Sequence, residues 1–154
     1  QREIRKRHRA LRISSLTLLK TSKIATVLVA PFIYGMIAPI ALLDLCVTIY
    51  QHICFRAYGI PRVKRSLYVA IDRHHLAYLN TIEKINCVYC GYGNGVFAYA
   101  REIASRTEQY WCPIKHARRV RDPHQRYLRF LEYGDAEGYR SKLEKIRKNV
   151  CETD

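Results

Sequence analysis

Residues 24–55 read IATVLVAPFIYGMIAPIALLDLCVTIYQHICF, a run without a single lysine or arginine. As a helix rising about 1.5 Å per residue it would measure roughly 48 Å, against a hydrocarbon core of about 30 Å. One upright crossing does not use that length. Two crossings do not fit, because each half on either side of Pro39 is roughly fifteen residues and reaches only about 23 Å. Two geometries remain: a long, kinked and tilted span with its ends in the interface, or a re-entrant hairpin bent around Pro31, Gly35 and Pro39. Asp44 is the one acid in the run, and at that depth a carboxylate needs a partner, a proton or a polar pocket. His52 is the only other ionisable side chain nearby apart from the thiols.

The flanks are basic on both sides. Arg2, Arg5, Lys6, Arg7, Arg9, Arg12, Lys20 and Lys23 precede the run, and Arg56, Arg62, Lys64 and Arg65 follow it. The positive-inside tendency would keep both flanks on the cytoplasmic side, which a hairpin satisfies. A single span with the N-terminus inside would place the later cysteines outside, where free thiols oxidise. Across the 154 residues Lys and Arg outnumber Asp and Glu by 27 to 13. That excess suits anionic lipid headgroups, nucleic acid or an acidic protein, and beside a membrane segment lipid is the economical reading. The expected organisation is a basic flanking segment at 1–23, a membrane segment at 24–55 and a soluble helical metal-binding domain at 56–154, in the membrane with that domain cytoplasmic.

Beyond Gly59-Ile-Pro61, apolar residues recur at Leu67, Ala70, Ile71, His74, Tyr78, Ile82 and Ile85, a spacing of three and four that predicts an amphipathic helix from about Val63 to Ile85. Gly91, Gly93 and Gly95 then predict a tight turn. A second stripe through Phe97, Ala100, Ile103, Ala104 and Thr107 predicts a helix from Val96 to about Tyr110, ending near Cys112-Pro113. Shorter helices are expected at 124–133 and 135–150, with Tyr127, Leu128, Leu131, Tyr139, Leu143 and Ile146 facing inward. The fold class is mainly α, one apolar membrane segment followed by a small helical domain with a metal knuckle.

Six cysteines are present. Cys46 and Cys54 belong to the apolar run and Cys151 to the polar tail, which leaves Cys87-Val-Tyr-Cys90 and Cys112-Pro-Ile-Lys-His116. Cys87, Cys90, Cys112 and His116 together offer three thiolates and an imidazole to one tetrahedral ion, zinc or iron. Gly91 would supply the backbone freedom that turns N–H groups toward the sulfurs. The intervening segment must bring its far end back beside its start. A redox-active dithiol at Cys87 and Cys90 and a set of unrelated structural thiols are the alternatives.

The run Cys87-Val-Tyr-Cys90-Gly91-Tyr92 resembles the first knuckle of rubredoxins, small electron carriers with one iron held by four cysteines. The resemblance covers this short run; Cys112-Pro113 matches the opening of the second knuckle, and the next ligand candidate is His116 at a longer spacing. It implies Cys87, Cys90 and Cys112 as iron ligands and a one-electron role beside a membrane oxidoreductase.

Other constellations are weaker. In Asp72-Arg73-His74-His75, adjacent helical residues point about 100° apart, so His74 is expected on the packed face and His75 on the wet one. Glu83, Glu102, Glu108 and His116 lack the Glu-x-x-His pairs of a carboxylate-bridged di-iron bundle. Arg118, Arg119 and Arg121 form a basic patch near Tyr110, Trp111 and Tyr127, read as contacting lipid or an acidic partner ahead of nucleic acid. No catalytic signature is complete. The reading is therefore a membrane-attached, metal-binding accessory or assembly subunit of a membrane complex, more consistent with a non-enzyme; an electron carrier and a thiol oxidoreductase are the alternatives.

Overall fold

The computed structural model describes residues 2–152, which form α-helices and shorter helical turns with no strand among them. Two short helices, α1 (Arg2–Ala10) and α2 (Ser15–Thr21), lead into α3 (Ile24–Gly35) and α4 (Ile37–Tyr50). A π-helical turn, Gln51–Phe55, and α5 (Arg56–Tyr58) continue α4 without a break. The helical run Ile24–Tyr58 is 35 residues long and apolar enough to cross a membrane. The remaining long elements are α6 (Thr81–Trp111) and α7 (Ala136–Glu152).

Met36 separates α3 from α4, yet its own backbone is helical, with φ −64° and ψ −13°. Its N–H bonds back to Ile33 and Tyr34, and its carbonyl accepts from Ile40 at 3.3 Å. Pro39 explains the defect, because without an N–H it leaves the Gly35 carbonyl without its helical partner. Beyond this point the chain goes on as part of one long apolar helical run, Ile24–Tyr58.

The expected helix over 63–85 is not formed. Residues 63–80 are irregular, with 3₁₀ turns only at Arg65–Leu67 and Arg73–His75, and α6 begins at Thr81. Its start is set by a capping box that the periodicity overlooked. The Asn80 side-chain oxygen accepts from the Glu83 N–H at 3.0 Å, and the Glu83 carboxylate accepts from the Asn80 N–H at 2.8 Å.

The tight turn at Gly91, Gly93 and Gly95 is absent as well, since all three lie inside α6. Each glycine weakens a helix by about 1 kcal/mol relative to alanine, so something must require them. A Cβ on Gly91 would sit 3.0 Å from the Ala70 carbonyl oxygen, and one on Gly95 would sit 2.8 Å from both the Tyr68 oxygen and the Val69 Cα. Gly91 and Gly95, one turn apart, form a flat strip on which the backbone of residues 68–70 lies, while Gly93 faces elsewhere and meets the tip of Ile40. The helix ends at Trp111 as the Cys112-Pro113 pair demands.

The chain divides into two compact units, both discontinuous in sequence. The first takes the chain up to Leu42 together with Ser66–Val96, and the second takes Leu43–Arg65 together with the chain from Phe97 onward. In the first unit Tyr34 donates to Asn86 at 2.5 Å, the Tyr89 hydroxyl donates to the Ile33 carbonyl at 2.7 Å, and Ile40 lies over Gly93. Between Ile85 and Ala100, α6 carries no charged residue, which matches its apolar neighbour.

In the second unit Thr48 meets Tyr99, Tyr50 meets Thr107, and Tyr58 meets Tyr110 and Trp111. Rising positions on one helix meet rising positions on the other, so the two run parallel here. A parallel pair needs a long return connection, and this explains why residues 59–65 are spent on covering the helices with Ile60 and Val63, both buried. Gln51 fastens that connection. Its amide accepts from the Val63 N–H at 2.9 Å and donates to the Val63 carbonyl at 3.3 Å and to the Tyr99 hydroxyl.

The expected helix at 124–133 shrinks to a 3₁₀ turn, Gln125–Arg129. Phe130 is extended, and Leu131 bridges to Ile114 through Lys115 N–H to Leu131 O and Leu131 N–H to Pro113 O, at 2.8 and 2.9 Å. Leu128, expected inward, is 73 % exposed, whereas Leu131 is buried. The helix expected at 135–150 is present as α7, with Tyr139, Leu143 and Ile146 half-buried and Val150 fully enclosed.

Candidate functional site

The proposed metal ligands are dispersed. Cys87 and Cys90 lie within α6, half-buried and exposed respectively, Cys112 is the first residue past its end, and His116 is exposed in the following loop. The tight turn expected at the glycines that follow Cys90 is helical instead. Among the described residues no three His, Cys, Asp or Glu side chains gather where they could hold a metal.

The dithiol alternative loses its usual support too. A reactive Cys-x-x-Cys draws on a helix N-terminus to favour the thiolate, and that influence fades beyond the first turn. Cys87 lies past that turn of α6. All six thiols are free. Cys151 donates weakly to the Tyr58 carbonyl at 3.6 Å, and burial first, then the neighbouring Glu152 carboxylate, push its thiol up toward the protonated form.

Asp44 is resolved by a residue the sequence did not nominate. Arg65 forks onto it, Nε to Oδ1 at 3.0 Å and a terminal nitrogen to Oδ2 at 2.7 Å, a bidentate pair within an otherwise apolar helix. Asp44 is buried while the Arg65 side chain is 45 % exposed. Desolvating the carboxylate is costly unless a fork of this kind compensates. The Asp72 to His75 stretch behaves as expected, with His74 half-buried and His75 exposed, though on a 3₁₀ turn.

The C-terminal half of α6 carries a polar network. Glu102 accepts from Arg106 at 2.9 Å and from Arg126 at 2.9 Å, and Arg106 donates on to the Pro61 carbonyl at 2.7 Å. Burial pushes the Glu102 carboxyl up, but bonding and charge from Arg106 and Arg126 outweigh it and hold the group below the usual carboxylate range. One turn on, His124 uses both ring nitrogens. Nδ1 accepts from the Tyr127 N–H, which assigns the proton to Nε2 and makes it the donor to Glu108 at 2.8 Å. With both nitrogens committed, His124 ties the 3₁₀ turn to α6 and has no lone pair left for a metal or a base.

A lowered folded-state pKa contributes stability that is complete above the unfolded value, about 4.3 for glutamate, and is lost as pH falls through the folded one. The protein is therefore expected to lose stability as acid is added below about pH 4.3, and Glu102→Gln to remove part of that dependence. Thermal unfolding by circular dichroism at about pH 6 and about pH 3 measures it. An unchanged pH difference in the variant would show that Glu102 is not the coupled group.

Next to this network, the loop after α6 and the 3₁₀ turn enclose a cleft of about 800 Å³, bordered by Lys115, His116, Arg118, Arg119, Arg121 and Tyr127. Its walls are fastened at both ends. The His116 N–H donates to the Tyr127 hydroxyl at 2.7 Å, and Arg101 binds both the Asp122 carbonyl and, at 3.2 Å, its carboxylate. No family model, curated protein or solved structure matches the chain.

Proposed function

We propose that this chain is a membrane-attached, non-enzymatic accessory subunit, with the Ile24–Tyr58 helix as its anchor and the residues after Trp111 as its docking portion. One observation carries the reading: the most apolar window of that helix has a mean hydropathy of 2.1 and is only 6 % buried. Leu42, Leu45, Ile49 and Ile53 repeat at three and four positions and are all exposed. A contiguous apolar stripe of this kind is costly in water and favourable against lipid tails or a neighbouring transmembrane helix. Tyr58, Tyr110 and Trp111 cluster where the helix ends, with ring centroids 5.2 to 5.4 Å apart, the placement expected of interfacial aromatics. The bidentate Arg65 supports an embedded Asp44.

The reading includes no resident metal and no electron-transfer role, in keeping with the lack of any group of three His, Cys, Asp or Glu side chains able to hold an ion among the described residues. Free thiols and basic residues favour the cytoplasmic side for the portion after Trp111. Extraction of native membranes with alkaline carbonate, followed by flotation, tests the anchor. The chain is expected to stay with the vesicles, without stoichiometric zinc or iron in the purified protein, and with the exposed Cys112 shielded from an impermeant maleimide in intact cells. Recovery as a monodisperse soluble protein would overturn the anchor, and labelling in intact cells would overturn the orientation.

A further inference from the structure

The cleft formed by the loop after α6 holds more positive charge than its own acids can use. Of the two carboxylates on its border, Glu132 is engaged by Lys115 at 2.5 Å and Asp122 by Arg101 at 3.2 Å. Arg118, Arg119 and Arg121 are exposed and paired with no carboxylate among the described residues. Three guanidiniums within four positions repel one another, and an anion entering the concavity they border would offset that repulsion.

The concavity is built before any ligand arrives. The Ile114–Leu131 bridge fixes its base, the His116 ring stacks on Tyr127 with centroids 6.0 Å apart, and Arg101 holds Asp122 in a left-handed conformation, φ 48°, at the far end of the loop. Immobilised walls lower the ordering cost of binding.

We infer that this cleft is a phosphate-binding site and that the phosphate is carried by a membrane lipid headgroup. Guanidinium forks match phosphate oxygens in geometry as well as charge. The lipid source follows from position. The loop begins at Cys112, directly after Trp111, which is 48 % exposed and packs with Tyr110 on Tyr58, the last residue of the apolar helix. Headgroups lie at the depth where such aromatics sit. The inference rests on the membrane reading above and deepens it.

Trp111 is the single tryptophan of the chain and lies four positions before Lys115, the first residue lining the cleft, so its emission serves as the readout. The full chain in neutral detergent is titrated with dioctanoyl phosphatidic acid and, separately, dioctanoyl phosphatidylcholine, following Trp111 emission. Phosphatidic acid is expected to saturate about tenfold or more below phosphatidylcholine, and Gln at Arg118, Arg119 and Arg121 together to weaken it about tenfold or more. Gln at Lys142, Lys145 and Lys148 on α7, the same change in net charge elsewhere, should leave it within about twofold. If the triple variant lost helicity, Arg119→Gln alone would carry the test, with about threefold weakening.

Equal saturation by both lipids, or unchanged binding by the cleft variant, overturns the site. Displacement by inorganic phosphate or by a short RNA at the same concentration overturns the lipid assignment in favour of a soluble anion or nucleic acid. A chain that floats with vesicles but lacks the preference loses only this inference, whereas a chain that does not float loses the membrane reading itself.

Discussion

Gly95→Ala is expected to destabilise the protein by about 2 kcal/mol, while Gly93→Ala, two positions away on the same helix, leaves it unchanged or up to about 1 kcal/mol more stable. Both substitutions bring the same gain in helix propensity. They differ in what the new methyl group meets. At Gly95 it falls 2.8 Å from the Tyr68 oxygen and the Val69 Cα and 3.2 Å from Val69 Cγ2, and backbone atoms cannot rotate away. At Gly93 it meets only the tip of Ile40 at 3.5 Å, an ordinary contact. Thermal unfolding in one detergent, followed by far-UV circular dichroism, distinguishes them. Identical midpoints for the two variants would mean that residues 68–70 do not lie on α6, and the arrangement of the first unit would be wrong.

Gln51→Leu should cost about 3 kcal/mol, although it puts an apolar residue into an apolar helix. Gln51 is 2 % exposed, and its amide is the partner of both the N–H and the carbonyl of Val63, itself buried. Leucine fills a similar volume but strands those two backbone groups and removes the donor to Tyr99, and each buried group left unpaired costs about 1 to 3 kcal/mol. Denaturant unfolding of the second unit, read by Trp111 fluorescence, should show the shift. A variant as stable as the parent would mean that the connection after Pro61 is held by its apolar contacts, not by this clamp.

Much of the long apolar element was legible because composition acts locally. A stretch without lysine or arginine between basic flanks announces a helix that avoids water, and Pro39 announces a defect in it. The end of α6 at Cys112-Pro113 was legible for the same reason, since proline constrains the residue before it wherever it occurs. The start of α6 was written in the chain as Asn80 and Glu83, but the apolar spacing upstream of it suggested an earlier helix. That spacing is not a buried stripe at all: Leu67, Ala70, Ile71, Tyr78 and Ile85 are exposed, and the segment 63–80 is irregular.

The turn expected at the glycines after Cys90 is the part of the cysteine reading that the structure replaces with helix. Gly91, Gly93 and Gly95 are equally suited to a turn that closes a metal knuckle and to a flat strip inside a helix, because lacking a Cβ permits both. Only the neighbour decides between them. The cleft shows the reverse case: Arg118, Arg119 and Arg121 were visible as a basic patch, but their lack of carboxylate partners depends on Lys115 and Arg101 having taken Glu132 and Asp122.

By itself the sequence determined that this is a mainly helical, strongly basic chain with one long apolar helix, since helix propensity, charge and hydropathy are sums over near neighbours. Tertiary structure alone decided that Asp44 would find Arg65, that Gln51 would hold Val63 and that Gly91 and Gly95 would stay helical beneath residues 68–70. Each of those outcomes depends on two segments distant in the chain arriving at one place, and no local free energy records which distant segment will arrive.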